Sequence, residues 1–231
     1  MEVRALCNKC GSQKKYINKD KMVYFCFKCG DRGRLAGGLL PPPIRTAPAR
    51  QIDMFTFKIK NAESRAVYEY MLGRGFPSEL IEKCVRWSPD LSGRAILPLW
   101  TGDKIPYWTA RAINGAEPKY LSSGQKSKFV YGIDRAKGWA VLCEGPLDAL
   151  ASPNGIAIMG KIPSAIQLSL IASRFSTVFL AIDGDAPKER LELKRQLQRY
   201  LTVKEVYLEA DEDPASLGIR EMESRIREAR V

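Results

Sequence analysis

Four cysteines and five carboxylates carry most of the chemistry this sequence offers. Cys7-x-x-Cys10 and Cys26-x-x-Cys29 are separated by 15 residues. Two such pairs supply four thiolates, and zinc takes four tetrahedral ligands. Gly11 and Gly30 follow the pairs, where the chain must turn tightly. Two disulfides in a secreted domain are the competing reading. They would call for an apolar leader, and MEVRALCNKCGSQKK has none. With all four positions filled by protein, the zinc is expected to be structural rather than catalytic. Cys84 and Cys143 fit no ligand spacing and are expected to be small buried residues.

The carboxylates lie in three places. Glu144 follows an apolar run, and Asp148 comes four residues later, one helical turn on. Asp183 and Asp185 follow a second apolar run, and Asp213 sits in DEDP at 211–214. A single Asp after a strand is ordinarily a helix cap. Acidic groups after three strands of one parallel sheet can converge, because strand ends gather at one edge. Converging carboxylates repel one another unless cations neutralise them, and hard oxygen ligands select Mg²⁺ or Mn²⁺. Such a site suits phosphoryl chemistry.

Composition narrows the field. Of 231 residues, 45% are apolar and 27% charged, which supports a packed core and excludes a disordered or fibrous chain. No apolar run reaches the ~18 residues of a membrane span. The sequence has no histidine, so His-based nucleophile activation, His-metal catalysis and His pH switching are excluded. The net charge is +11, and residues 1–50 hold +8 of it, from eleven Lys and Arg against three acids. A basic head on a nearly balanced body points to a polyanionic partner, nucleic acid before membrane. Between the cysteine pairs Tyr16, Tyr24, Phe25 and Phe27 interleave with Lys14, Lys15, Lys19, Lys21 and Lys28. For any one aromatic there a place in the small core is the favoured reading, but for the ribbon as a whole the charge excess favours nucleic acid, whose bases it can stack and whose phosphates it can bind.

These groups need elements to position them. Residues 39–43 read LLPPP, with Pro48 beyond, and predict a semi-rigid linker over 39–51. The pattern at 61–72 predicts a helix capped near Asn61 or Ser64 and ended by Gly73 and Gly75. A short helix containing Leu80, Ile81 and Val85 follows Pro77. Strands are predicted at 95–100, 107–112 and 129–131. From residue 138 strands at 140–143, 155–159, 177–182 and 204–208 alternate with helices beginning at 147, 164 and 187. That alternation predicts a parallel α/β sheet, preceded by an α+β subdomain and a small β zinc ribbon. The expected domains are 1–38, the linker 39–51, 52–137 and 138–231.

The motifs carry a family resemblance. VLCEGPLDAL at 141–150 resembles the first Toprim motif, EGxxDAL after an apolar strand, and AIDGD at 181–185 resembles the Toprim DxD. YMLGRGF at 70–76 with ELIEK at 79–83 resembles the YLxxRGxxxExIxKF stretch of DnaG-type primases. GRAILPL at 93–99 resembles their GRxxxPI strand. Arg111 with PKYLSS at 118–123 resembles GGR…PKYLNS, Tyr131-Gly132 resembles LYG, and Glu212-Asp213-Pro214 resembles KDPD. The motifs occur in family order across almost the whole chain. Ser122 departs from the usual Asn, and Pro146 and Pro187 are unusual in the Toprim loops.

The resemblance implies a DNA primase that makes short RNA primers on single-stranded DNA, akin to the primase half of phage primase–helicases or to a stand-alone phage primase. It implies Glu144, Asp183 and Asp185 as the catalytic cluster for Mg²⁺ or Mn²⁺, supported by Asp148 and Asp213. Glu144 would serve either as ligand or as proton acceptor. Arg111, Lys119, Tyr120 and Lys161 would contact nucleotide or template. Lys14, Tyr16, Tyr24 and Phe27 of the ribbon would read the template. The implied partners are single-stranded DNA, ribonucleoside triphosphates, the RNA/DNA hybrid and a replicative helicase in trans, in the cytoplasm of a bacterial or phage-infected cell. A Toprim-type nuclease and a silent DNA- or helicase-binding module are the alternatives from other classes.

Overall fold

The computed structural model describes residues 2–5, 7, 9–10, 12–18, 23–29, 31–34, 51–57, 61–184 and 187–230. The expected linker, apart from residue 51, and Asp185 lie outside them. The chain divides into two units, Met1–Pro48 and Ala49–Val231.

The first unit is an antiparallel meander of β1 (Glu2–Ala5), β2 (Lys15–Asn18), β3 (Val23–Cys26) and β4 (Arg32–Arg34). Among its described residues Ala5, Cys7, Ile17 and Cys26 are almost wholly buried. Modules of about 30–40 residues are usually held by a cross-link or a metal as well as by apolar packing.

The second unit begins with α1 (Ala62–Gly73) and α2 (Ser78–Cys84). A capping box starts α1: the Asn61 side chain accepts from Ser64 N–H at 2.7 Å, and Ser64 Oγ accepts from Asn61 N–H at 3.0 Å. Val67, Met71, Ile81 and Cys84 turn inward against an antiparallel sheet of β5 (Arg94–Thr101), β6 (Lys104–Ala112) and β7 (Tyr120–Ser122). The strand expected at 129–131 does not form: a 3₁₀ turn, Lys126–Lys128, leads into irregular chain with a single bridge from Tyr131 to Ala157. Val130 and Tyr131 are buried as anchors of a loop rather than as a strand face.

The remaining strands form a parallel sheet. They are β8 (Trp139–Cys143), β9 (Gly155–Ala157), β10 (Thr177–Leu180) and β11 (Thr202–Glu205), in spatial order β11-β10-β8-β9. The last strand lies earlier than the expected 204–208, although buried Val206 and Leu208 follow it. Alternate residues feed two cores. Ala140, Leu142, Val178 and Leu180 face α4 (Ala165–Arg174) and α5 (Pro187–Leu197) through Ile171, Leu193 and Leu197. Val141, Cys143 and Phe179 face Met222 and Ile226 of α6 (Pro214–Arg230). A central strand buried on both faces must be apolar throughout, as Ala140-Val141-Leu142-Cys143 is.

The order of the strands opens a crevice. From β8 the chain moves outward through α3 (Pro146–Ala151) to β9, then returns by α4 to β10 on the other side of β8. Adjacent strands whose connections leave in opposite directions part at their carboxyl ends. The crevice lies between β8 and β10, and Glu144 and Asp183 come close after those two strands.

Candidate functional site

In the first unit the thiolates meet. All four sulfurs, of Cys7, Cys10, Cys26 and Cys29, lie within 4.8 Å of one another. Cys7–Cys29 and Cys10–Cys26 are 3.7 Å apart, close to the ~3.8 Å edge of a tetrahedron with ~2.3 Å zinc–sulfur bonds. Knuckle turns set this spacing, with Cys7 N–H donating to Ser12 O at 2.8 Å and Cys26 N–H to Asp31 O at 2.7 Å. Burial raises the Cys26 thiol, but hydrogen bonds from the Cys29 and Lys28 backbones and from neighbouring thiols outweigh it and bring it to about 6. The donor set therefore fits one zinc ion. Metal analysis of purified protein is expected to give one zinc per chain. A strong chelator is expected to open residues 1–48 to protease while 49–231 stays resistant, because the binding energy of such a site is folding energy.

The ribbon residues divide. Tyr16 is packed edge-on against Phe27 at 5.5 Å, and Phe27 against Phe25 at 4.4 Å. Tyr24 lies under the Lys15 ammonium at 3.8 Å. Lys14 is exposed and Phe27 is 44% exposed, so these two remain open to a ligand. Cross-strand register adds two arginines that spacing alone did not single out. Arg4, Tyr16, Phe25 and Arg32 stand opposite one another across the four strands, an aromatic centre with a basic residue on either side.

In the second unit the acids occupy one edge of the parallel sheet. Glu144 directly follows β8 and is 8% exposed, and its carbonyl accepts from Gly160 N–H at 3.2 Å. Asp183 follows β10 and is half-buried. Asp148 braces two helix starts, accepting from Gly145 N–H at 2.9 Å and from Ala215 N–H at 3.3 Å. Asp213 caps α6, accepting from Ser216 N–H at 2.7 Å. For Asp213, and partly for Asp148, the structure thus supplies the capping role that a lone Asp usually has. Among the described residues only the four cysteines bring three or more ligand atoms within 4.8 Å of one another, so Glu144, Asp148, Asp183 and Asp213 do not close into a cage.

Their mutual field is visible at Asp148. Burial, followed by the charges of Asp183 and then Asp213, raises its carboxyl to about 7, despite the two backbone donors. A raised acid binds its proton more tightly folded than unfolded. Its contribution to stability is therefore present at low pH and is lost as pH rises from about 4 through 7. In chelator, the thermal midpoint of Asp148→Asn is expected to depend less on pH between 5.5 and 8 than that of the wild type. An unchanged slope would refute this reading of the acids.

Opposite Asp148 lies a basic and aromatic group. Arg111 on β6 donates to Tyr120 Oη at 3.2 Å and stacks on its ring at 5.2 Å. Burial raises the Tyr120 hydroxyl, Arg111 opposes that, and Asp148 adds to it, so the three sit within one electrostatic neighbourhood. Tyr70 interacts with Arg111, and Arg74 stacks on Tyr70 at 5.9 Å. The Nε atoms of Arg74 and Arg111 are both buried without a hydrogen-bond acceptor, a state that an anion or a water relieves. Tyr70 and Arg74 were not singled out as site residues from sequence. The available signal was their i, i+4 spacing, which puts both on one face of α1. Lys119 is exposed, its N–H held by Glu117 Oε2 at 3.0 Å. Lys161 lies farther along the sheet edge, where it shares a groove with Ile162, Pro163 and the α5 residues Lys188 and Glu189.

No family model matches the sequence, and no curated protein matches it. Solved structures do match its fold. A DnaG primase catalytic domain bound to single-stranded DNA superposes with a TM-score of 0.63 at 16% identity, covering 75% of this chain and 74% of that one. The zinc-binding and RNA polymerase domains of Aquifex aeolicus primase cover 99% of this chain and 78% of theirs, with a TM-score of 0.56 at 17% identity. The primase fragment of the bacteriophage T7 primase–helicase protein covers all of both chains, with a TM-score of 0.54 at 14% identity. The chain therefore shares the fold of DnaG-type primases. Among the described residues no helix is long and apolar enough to cross a membrane.

Proposed function

We propose that this chain is a DNA primase, joining ribonucleotides on a single-stranded DNA template by metal-dependent nucleotidyl transfer. One observation carries the reading. Glu144 and Asp183 follow the two strands that flank the switch point of the parallel sheet, and the Asp148 carboxyl feels the charge of Asp183 and is felt in turn by Tyr120, which Arg111, Tyr70 and Arg74 adjoin. Acids and guanidinium groups in one neighbourhood suit a substrate that brings both divalent cations and bare phosphate oxygens.

In this reading Glu144, Asp183 and Asp185 hold Mg²⁺ or Mn²⁺, with Asp148 as a supporting ligand; Asp213, engaged as a cap, contributes through the loop it anchors. The bound ions would supply activation of the attacking 3′-hydroxyl and charge neutralisation on the leaving oxygen. Arg111 and Arg74 would hold the triphosphate, giving their Nε–H groups the acceptors they lack. Tyr120 would fix the Arg111 fork. Lys119 and Lys161, both exposed, would contact the template strand or triphosphate. The ribbon would present the row Arg4, Tyr16, Phe25, Arg32, with Phe27 and Lys14 beside it, to the template bases. A replicative helicase acting in trans completes the set of proposed partners.

The reading is tested by substitution at the guanidinium side. Arg111→Ala is expected to raise the ribonucleotide KM by roughly 10–100-fold, the loss of a charge-assisted bidentate contact of ~1.5–3 kcal/mol. Lys119→Ala is expected to weaken template binding and flatten its salt dependence. A Toprim-type nuclease would instead cut labelled single-stranded DNA without ribonucleotides and would be indifferent to Arg111. A silent binding module would hold the DNA and do neither.

A further inference from the structure

The loop between β11 and α6 carries Asp213, whose charge reaches Asp148, and an arginine fastens that loop. Arg225, on the second half of α6, is about four-fifths buried. It forks onto Glu212, donating from Nη1 to Oε2 at 2.6 Å and from Nη2 to Oε1 at 3.0 Å. It also donates to Tyr207 O at 3.0 Å and to Glu221 Oε1 at 2.9 Å. Glu212 passes the restraint on. Its carboxylate accepts from Glu209 N–H at 2.8 Å, and its carbonyl accepts from Gly184 N–H at 3.2 Å. Gly184 is the residue next to Asp183. The approach there is so close that a Cβ on Gly184 would lie 1.7 Å from Glu209 O. The chain Arg225–Glu212–Gly184 therefore ties α6 to the end of β10, while Asp148 ties the start of α6 to α3.

We propose that Arg225 is a positioning residue that acts through Glu212 to set the distance between the Asp183 turn and the Asp213 loop, and so governs divalent-cation affinity at the crevice. The inference rests on the reading of the crevice as a metal-dependent site. Arg225 touches no substrate in that reading. It supplies the only side-chain ion pair that Glu212 makes among the described residues, in a loop that also carries Glu209, Asp211 and Asp213. Without it, the acids of that loop repel one another and the main-chain contact to Gly184 loosens. Outer-shell partners of metal ligands typically alter metal affinity 10–100-fold when removed.

The test uses the whole 231-residue chain, zinc-loaded and titrated with Mn²⁺ at pH 7.5, free metal being read by electron paramagnetic resonance. Arg225→Gln is expected to bind Mn²⁺ about tenfold more weakly than wild type. Glu212→Gln is expected to do the same, and the double variant no worse than either single one, because both break one link. Arg225→Lys keeps the charge without the fork and is expected to lose less. It also serves as the folded control, with circular dichroism confirming the fold of each variant. A merely structural role predicts lower melting temperatures with unchanged Mn²⁺ affinity in the folded protein, and that result overturns the proposal alone. If the wild type binds no Mn²⁺, the metal-site reading fails and this inference falls with it.

Discussion

Replacing Asp183 with Asn is expected to lower template-directed RNA synthesis by at least about 10³-fold while leaving the melting temperature no lower than that of the wild type. The two effects have separate causes. Asp183 follows β10 at the switch-point crevice, where the proposed chemistry needs a full negative charge to hold a cation. Asn keeps the volume and removes the charge, so no cavity forms and no apolar contact is lost. Asp183 also raises the Asp148 carboxyl, so its neutralisation relieves a repulsion in the metal-free protein. Loss of activity without loss of stability marks a residue placed for function against the interest of the fold. The measurement is a primer-synthesis rate beside a thermal melt in chelator at pH 8. A variant that melts well below wild type and keeps its activity would show that Asp183 braces the fold instead.

Gly184→Ala is expected to do the opposite, damaging stability and activity together. A methyl group at Gly184 would meet Glu209 O at 1.7 Å, its carbonyl carbon at 2.5 Å and Ala210 Cα at 2.9 Å. All three are backbone atoms, so no side chain can swing aside. Relief requires the β10 turn and the acidic loop to separate, which breaks the Gly184–Glu212 hydrogen bond. Overpacking of this kind costs about 1–3 kcal/mol, corresponding to roughly 6–12 °C at the upper end for a chain of this size. Activity should fall with it, because Asp183 and Asp213 move apart. A melting temperature within a degree or two of wild type would contradict the close approach. The contrast between Asn at 183 and Ala at 184 separates charge from geometry at adjacent positions.

How much of the fold and the site was legible in the sequence varied with the range of the interaction involved. The cysteine spacing announced its cluster, because two local turns determine where four sulfurs lie. The strands at the centre of the parallel sheet were legible because burial on both faces forces them to be apolar throughout. The acids after β8 and β10 could be placed at one edge from topology alone. Local pattern failed where tertiary packing decides. The β7 strand is three residues, two of them half-buried, that pair only with β6, too few to show a period. Phe129-Val130-Tyr131 reads as a strand by composition, yet it anchors a loop. Helix α6 is charged over most of its surface and interrupted at Gly218, whose φ is +79°, so its buried pair Met222 and Ile226 gave little signal. The neighbourhood of Arg111, Tyr120 and Asp148 joins positions far apart in the chain, as does the Arg225 clasp. Neither leaves a mark in local spacing.

The most direct test of the central claim is to identify the product. Wild-type protein is incubated with a defined single-stranded DNA, four labelled ribonucleoside triphosphates and Mg²⁺; one portion of the labelled product is treated with alkali and another is sequenced. A primase is expected to yield short, alkali-labile chains complementary to the template, absent without Mg²⁺ and absent from Asp183→Asn. No labelled product, or cleavage of the DNA in its place, would contradict that function.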